Sequence, residues 1–292
     1  MTSTREDIEL TYDISNEFFR LWLDERMHYT SAVFDAQHRT LEEAQRNKNR
    51  ILADFARVTT GTSVLDIGCG WGATLEYLVR ERHVTRAHGL TLSRAQHDEI
   101  TARRLPGVET WCVDYKDFAP SEPYDALLSI EMVDHLVAPE QQREGLAVTI
   151  YREYFNRVAG WVKEDGWFGF QAILRDRVPR RREQLEDLKF TADVIFPGGL
   201  NPRLEELVAA CGQSWEIMQL VTRREDYGMT TAEWLQRFRR NEKDIMASGW
   251  GGRVMRNGET VWKNYERYLT TCVNAFANHW SSLVQMQLRK KR

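Results

Sequence analysis

A glycine-rich turn is the feature of the sequence that most constrains the fold. The segment VLDIGCGWG occupies residues 64–72, where a short apolar run ends in three closely spaced glycines. Glycine lets the backbone turn sharply and approach a ligand closely, and a helix that begins there presents free N–H groups. The segment therefore predicts a strand, a ligand-binding turn and a helix in direct succession.

The chain after this turn alternates between strands and helices. Strands are predicted at residues 63–67, 86–90, 108–113, 124–130 and 167–174, with helices at about 72–81, 93–104 and 141–163. Alternation of this kind predicts a doubly wound α/β fold with a mainly parallel sheet. Two more strands, at 215–222 and 283–288, flank helices at about 230–247 and 259–277. We expect these two strands to close the sheet as an antiparallel hairpin.

The regions outside this alternation predict helices and a lid. Ser15 can cap a short aromatic helix, and Thr40 with Glu43 three residues later forms a capping box at the start of a longer one. The segment 175–201 interrupts the pattern with RDRVPRRREQ and then FPGG. We interpret it as an inserted lid whose arginines lie on a solvated loop.

Composition excludes several function classes. The 40 Lys and Arg residues nearly balance the 43 Asp and Glu residues, so we expect no nucleic-acid partner. The four cysteines and seven histidines show no metal-ligand spacing, which predicts free thiols and no metal site. The N-terminus lacks an apolar signal region and no apolar run is long enough to span a bilayer, so we expect a cytoplasmic protein.

The glycine turn is compatible with three interpretations. Gly68, Gly70 and Ala73 satisfy the dinucleotide pattern, but that pattern needs an acidic residue about twenty positions later, where this chain has RAHGL. S-adenosylmethionine carries an amino-acid end and no phosphate, and a carboxylate at Asp66 suits its ammonium group. The turn could also serve packing alone. The residues favour an S-adenosylmethionine-dependent methyltransferase over a dehydrogenase.

Several motifs together resemble the cyclopropane-fatty-acid synthase and mycolic-acid methyltransferase family. They are the glycine turn, GLTLSRAQ at 89–96, YDISNEFF at 12–19, MHYTSA at 27–32, SIEMVDH at 129–135 and IFPGG at 195–199. Tyr227, Trp234, Tyr268 and Cys272 also fit, so the resemblance covers about residues 12–288. Plant alkaloid N-methyltransferases share the architecture and a similar SIEM segment, which leaves the acceptor atom open.

The resemblance implies a seven-stranded Rossmann-like methyltransferase sheet with N-terminal helices and an inserted helical cap. On this pattern, residues 1–60 form the N-terminal helical cover and 61–175 the S-adenosylmethionine-binding core. Residues 176–202 and 223–280 form the cap and substrate region, and 203–222 with 281–292 complete the core sheet.

The resemblance also implies a set of cofactor-binding residues. Tyr29 and Thr30 would close over the cofactor. Gly68 and Gly70 would contact its methionine part beside Asp66. The ribose and adenine residues would be Thr91, Leu92, Gln96, Asp114, Tyr115 and Ile130. The family has Gly-Trp-Glu where this chain has Asp114-Tyr115-Lys116, so the adenine pocket is rebuilt. Gln96 also stands at capping-box spacing from Ser93.

The acceptor side departs from the family. Cyclopropane synthases hold a bicarbonate base with a Cys, a Glu, a His, a Tyr and a backbone group next to an Ile. The corresponding residues here are Ser31, Asp134, Gln171, Tyr227 and Ile173. Three side chains differ, so the sequence predicts activity that does not depend on carbonate.

Asp134, His135 and Tyr227 are therefore the catalytic candidates, with Asp134 or His135 as the proton acceptor or as the group that holds an acceptor amine. His135 could instead be a helix-start residue bonded to backbone. Ser31, Gln171, Ile173 and Phe196 are the predicted substrate-pocket residues.

The predicted function is S-adenosylmethionine-dependent methylation of a hydrophobic small molecule or lipid, at an alkene carbon and through a carbocation. The alternatives are a cyclopropane-fatty-acid synthase proper, an N-methyltransferase of a specialised metabolite, and a silent cofactor-binding protein that transfers no methyl group. The sequence leaves open whether the chain forms a homo-oligomer.

Overall fold

The computed structural model describes residues 15–292. The first three residues of the YDISNEFF motif and the start of the predicted N-terminal cover lie outside this range.

A seven-stranded sheet forms the centre of the molecule. Its strands are β1 (Ser63–Ile67), β2 (Arg86–Thr91), β3 (Val108–Cys112), β4 (Tyr124–Ile130), β5 (Val162–Arg175), β6 (Trp215–Thr222) and β7 (Ser281–Lys290). They lie in the order β3-β2-β1-β4-β5-β7-β6. The first five are parallel, and β7 runs antiparallel to both β5 and β6. The predicted doubly wound fold and its closing antiparallel hairpin are confirmed.

Helices connect and cover these strands. They are α1 (Asn16–Arg20), α2 (Leu41–Phe55), α3 (Ala73–Glu81), α4 (Arg94–Ala102), α5 (Pro139–Arg143), α6 (Ala147–Ala159), α7 (Arg182–Phe190), α8 (Leu204–Cys211), α9 (Arg224–Arg240), α10 (Glu242–Ala247) and α11 (Val261–Ala277). A 3-10 turn spans Val133–His135, and a π-helical turn spans Thr191–Ile195 directly after α7. The segment predicted as a lid thus contains α7 and the π-helical turn. Within residues 15–292, no helix is both long and apolar enough to cross a membrane.

Local capping starts the N-terminal helices as the sequence predicts. The hydroxyl of Ser15 accepts hydrogen bonds from the first-turn amides of α1. At α2, the Glu43 amide donates to Thr40 Oγ1 at 3.3 Å, while Glu43 Oε2 accepts from the Thr40 amide at 3.0 Å. Each bond pairs a backbone N–H that would otherwise have no partner at the start of the helix.

Two predicted helices are wrong in their extent. The helix expected at 141–163 is divided, because Gly145 adopts a φ of +75° between α5 and α6. The chain then enters β5 at Val162, five residues before the predicted start. The helix expected at about 230–247 begins earlier, at Arg224, and is interrupted at Asn241. Apolar spacing from Phe238 to Ile245 continues across the break at Asn241 and does not reveal it, whereas residues 140–145 contain no apolar side chain and Gly145 itself is the signal for the first break.

Packing brings the N-terminal and C-terminal helices together. Phe18 and Trp22 near α1 lie in one buried cluster with Trp234 of α9 and Tyr265 of α11. Trp71 of the glycine turn joins the same cluster. These helices therefore stand over the end of the sheet where the glycine turn lies.

Candidate active site

The glycine turn keeps one wall of a cavity open. Gly68 and Gly70 have φ values of +88° and +53°, which favour glycine. A Cβ on Gly68 would lie 2.9 Å from the Met132 side chain, whereas a Cβ on Gly70 would meet nothing within 4 Å. Both residues line a cavity of about 430 Å³. Gly70 thus leaves space where a ligand can approach the backbone.

Asp66, at the end of β1, fits a cationic ligand. Its side chain is 1% exposed and lines the cavity. Its Oδ1 has no hydrogen-bond partner in the described part of the chain. Burial raises the pKa of this carboxyl to about 7, although nearby Lys48 opposes the shift. An ammonium group beside Asp66 would restore its charge, so the site suits the amino-acid end of S-adenosylmethionine.

The predicted ribose residues also line the cavity. Thr91 and Gln96 are joined by a hydrogen bond of 2.7 Å from Thr91 Oγ1 to Gln96 Oε1, and Leu92 lies between them in the sequence. Ser93 Oγ accepts from the Gln96 amide at 3.2 Å and caps α4. The capping interpretation therefore holds for the backbone of Gln96, while its side chain bonds to Thr91.

The predicted adenine residues follow the ends of neighbouring strands. Asp114 and Tyr115 come directly after β3, and Ile130 is the last residue of β4. All three line the cavity. The Tyr115 ring packs edge-on against Tyr154, with centroids 5.3 Å apart. This contact fixes the ring beside the cavity.

Tyr29, Thr30 and Lys48 form the wall on the N-terminal side. The Tyr29 ring lies 5.3 Å from Trp22 and 5.5 Å from Trp234 between centroids. Lys48 Nζ donates to Thr30 Oγ1 at 3.2 Å. Burial lowers the pKa of Lys48 to about 8, and nearby carboxylates, Glu131 first, oppose that shift.

Two acidic side chains and a histidine from the segment that follows β4 also line the cavity. Asp134 Oδ2 accepts from the Ile173 amide at 3.3 Å, and its buried Oδ1 has no hydrogen-bond partner among residues 15–292. Burial, reinforced by neighbouring Glu131, raises the pKa of Asp134 well above its usual range. Burial lowers the pKa of His135 to about 4, so its imidazole is neutral at pH 7. His135 also ends a 3-10 turn, where its amide donates to the Met132 carbonyl at 3.2 Å.

The Glu131 carboxylate accepts three hydrogen bonds. Tyr227 Oη donates to Glu131 Oε2 at 2.7 Å, and the Ser31 amide donates to Oε1 at 2.9 Å. Gln171 Nε2 donates to the same Oε1 at 2.8 Å. Glu131, Tyr227 and Asp134 all line the cavity.

The positions of Ser31 and Gln171 differ from those expected. Both are fully buried behind Glu131 and do not line the cavity. The Ser31 hydroxyl donates to the Ala32 carbonyl at 3.0 Å, so only its backbone amide faces Glu131. The Ser31 amide and the Gln171 side-chain amide donate to the Glu131 carboxylate instead. Ile173 and Phe196, the other two predicted pocket residues, do line the cavity.

Sequence reasoning missed Glu131 and Lys48. Glu131 stood within the SIEMVDH segment, but the resemblance directed attention to Asp134. Lys48 lies on α2 and is 1% exposed. An unpaired lysine on a helix is ordinarily solvated, so the sequence contained no signal for its burial.

No group of three or more His, Cys, Asp or Glu within residues 15–292 could hold a metal ion.

The family model described as mycolic acid cyclopropane synthetase matches residues 1–286. Cyclopropane mycolic acid synthase 2 of Mycobacterium bovis is 28% identical over 98% of this chain and 94% of its own length. The solved structure of the cyclopropane synthase MmaA2 from Mycobacterium tuberculosis is similar with a TM-score of 0.87 at 26% identity, over 99% of both chains. Mycolic acid cyclopropane synthase CmaA1, solved with SAH and CTAB, gives a TM-score of 0.85 at 25% identity over 100% of this chain and 99% of that one.

Proposed function

This chain belongs to the mycolic acid cyclopropane synthetase family and is an S-adenosylmethionine-dependent methyltransferase, and we propose that it methylates an alkene carbon of a hydrophobic lipid or small molecule. The observation that carries this proposal is one cavity that extends from the glycine turn to Glu131 and the aromatic side chains beyond it. A cofactor and an acceptor bound in one cavity can exchange a group without exposure to solvent.

The aromatic walls support an apolar acceptor. Tyr227 stacks on Phe276 with centroids 4.4 Å apart, and Phe196 packs edge-on against Tyr268 at 5.5 Å. These four residues line the cavity together with Tyr29. Their faces suit a hydrocarbon chain, and each can stabilise a nearby positive charge by about 0.5–2 kcal/mol. Both properties match an alkene that becomes a carbocation.

The proposed chemistry divides between the two ends of the cavity. When bound, S-adenosylmethionine supplies an electrophilic methyl group on a sulfonium sulfur. Asp66 would hold its ammonium group, and Gly70 would let the backbone approach it. Transfer of that methyl group to the acceptor's π bond would form a carbon–carbon bond, break the carbon–sulfur bond with release of S-adenosylhomocysteine, and leave a cation on the neighbouring acceptor carbon. A carboxylate at the Glu131–Asp134 end then accepts a proton.

The names of the relatives support a lipid acceptor. They include a cyclopropane mycolic acid synthase and a structurally characterised cyclopropane synthase. A fatty-acyl alkene is therefore the first acceptor class to test, followed by unsaturated specialised metabolites.

An amine acceptor is the second candidate, and one observation favours it. The buried Oδ1 of Asp134 is unpartnered in the described residues and lies on an aromatic-walled cavity. A protonated amine would pair with such an oxygen while its substituents contacted the rings. N-methylation would then follow loss of the amine proton.

Methyl-deuterated S-adenosylmethionine distinguishes these functions. The purified protein is incubated with fractionated lipid and metabolite extracts, and products are analysed by mass spectrometry. A product that loses one deuterium identifies cyclopropanation, since a proton must leave the transferred carbon. Full retention on carbon identifies simple alkene methylation, and full retention on nitrogen identifies the amine alternative.

Gly70→Val serves as the control, because its side chain would fill the open wall of the cavity and abolish cofactor binding. Absence of any labelled product with the native chain would contradict the proposal.

A further inference from the structure

The carboxylate of Glu131 is surrounded by donors whose orientation is fixed. A backbone amide such as that of Ser31 can only donate. Gln285 Nε2 donates to Gln171 Oε1 at 2.7 Å, which turns the Gln171 amide nitrogen toward Glu131. Burial, with the Glu131 charge, raises the pKa of Tyr227 well above its usual range, so its hydroxyl remains a donor. Three donors from distant parts of the chain thus form a site for a carboxylate-like anion.

The backbone at Glu131 indicates that its side chain is held in this site against a local preference. Glu131 has a φ of +58°, in the left-handed region that favours glycine. Its amide donates to the Gln171 carbonyl at 2.8 Å, which extends the pairing of β4 with β5 by one residue. A conformation of this kind persists where surrounding contacts determine it, and it often marks a functional residue.

The neighbouring acid–base groups are less suited to accept a proton at neutral pH. Asp134 accepts only one long hydrogen bond from the described residues, and its pKa lies well above the usual range because of burial and the charge on Glu131. His135 has its pKa lowered to about 4 by burial. Burial raises the pKa of Glu131 as well, but its three hydrogen bonds oppose that shift and favour its ionised form over that of Asp134. The negative charge of this pair therefore resides on Glu131.

The Glu131 carboxylate retains capacity for one more proton donor. A carboxylate offers about four acceptor positions. Two donors occupy Oε1 and one occupies Oε2, and the side chain lines the cavity. One position on Oε2 is left for an acceptor molecule in that cavity.

We propose that Glu131 is the proton acceptor of the reaction, a resident carboxylate that fills the anion site formed by the Ser31 amide, Gln171 and Tyr227. This inference rests on the proposed function. Once the acceptor carbon has taken the methyl group, a C–H bond breaks, either on a carbon next to the cation or on the transferred methyl group. Its electron pair forms a new C–C or C=C bond, and its proton goes to Oε2. The Glu131 acid returns that proton to water after the product leaves, so no free bicarbonate takes part.

Anion binding tests the site without any acceptor. Glu131→Gly removes the carboxylate and suits the positive φ, so the three donors face an open space. Titration with ¹³C-formate, followed by NMR, is expected to show saturable binding to Glu131→Gly. The native chain and Glu131→Gln, which keeps the volume of the side chain, are expected to bind at least about tenfold more weakly.

Two results would overturn the inference. One is formate binding to the native chain as tight as that to Glu131→Gly. The other is a folded Glu131→Gly protein, judged by a cooperative melting transition, that binds no formate.

A second measurement applies even where Glu131→Gly does not fold. With the acceptor found in the deuterium experiment and carbonate-free buffer, added bicarbonate is expected to change the native rate less than about twofold. Glu131→Gln is expected to lose roughly 10²- to 10⁴-fold in kcat, the range of general-base catalysis. The calorimetric affinity for S-adenosylhomocysteine should be unchanged. A strong bicarbonate requirement, or near-native kcat in Glu131→Gln, would contradict the assignment.

Failure of the proposed function looks different from failure of this inference. If no acceptor is methylated, the proposed function fails, and the formate titration still decides whether Glu131 fills an anion site.

Discussion

Burial decides the charges of individual residues at both ends of the cavity. Asp66 and Asp134 have raised pKa values because each lies in a largely apolar surrounding. Lys48 has a lowered pKa for the same reason. Desolvation disfavours the charged form of any group, so a ligand of opposite charge regains part of that free energy. Binding of a charged ligand in the cavity should therefore change the protonation of these side chains.

Proton release on cofactor binding is the resulting prediction. The pKa of Asp66 is raised to about 7 in the free protein, and a bound ammonium group should lower it. Below about pH 7, binding must therefore remove a proton from Asp66, and affinity should fall by up to about tenfold per pH unit. Calorimetry with S-adenosylhomocysteine, in buffers of different ionisation enthalpy at pH 6 and 7.5, measures the released protons. Lys48, with a pKa of about 8, keeps its charge through most of this range.

Asp66→Asn is the matched control, because it preserves the side-chain shape and removes the titration. Its affinity should be weaker above pH 7 and nearly independent of pH between 6 and 7.5. Equal proton release by both proteins would contradict the assignment of Asp66.

At the scale of elements, α7 and the π-helical turn pack on the protein through buried Phe190 and Ile195, and the polar contact of α7 with α11 is an exposed ion pair. Arg267 of α11 donates to Asp187 Oδ1 of α7 at 2.8 and 2.9 Å, and its guanidinium lies 4.2 Å from the Phe190 ring centroid. The side chains of the ion pair are 47% and 39% exposed, so the pair contributes only about 0.2–1 kcal/mol. A segment attached in this way can open locally while the sheet stays folded.

Arg267→Ala should therefore loosen α7 without unfolding the protein. We expect trypsin to cleave faster within residues 177–189, while the melting temperature shifts by only a few degrees. Arg239→Ala is the control, because Arg239 forms an exposed pair with Glu266 between α9 and α11, away from α7. Equal acceleration of cleavage in both variants would show that Arg267 does not hold this segment.

At the scale of the whole molecule, β7 joins the last two parts of the sheet. It pairs with β5 on one side and β6 on the other. Its side chains Leu283, Val284, Met286 and Leu288 are 0% exposed. Burial of each such side chain contributes about 1.5–3 kcal/mol, so the four together match the about 5–15 kcal/mol by which a typical domain is stable.

Deletion of residues 281–292 should abolish cooperative folding, as measured by thermal unfolding followed with circular dichroism. Deletion of only Lys291 and Arg292, which are exposed and follow β7, is the control and should leave the transition nearly unchanged. A cooperative transition in the longer deletion would show that the sheet is stable without β7.

Local sequence is sufficient to predict the features that neighbouring residues control. The bounds of β1, β4 and β6, the caps at Ser15 and Thr40, and the glycine turn follow from alternation, capping and backbone freedom within a few positions. The sequence motifs, which are also local, identified the methyltransferase family. The local rules missed the breaks at Gly145 and Asn241, the early start of β5 at Val162, and the helices α7 and α8.

The tertiary structure alone decided which acidic residue receives the donors. Ser31 lies 100 positions before Glu131, whereas Gln171 and Tyr227 lie 40 and 96 positions after it. Such contacts depend on how β4, β5 and α9 pack, and on the positive φ that turns Glu131 toward them. Spacing along the chain does not encode either condition. The pattern therefore pointed to Asp134, while the fold gave the three hydrogen bonds to Glu131.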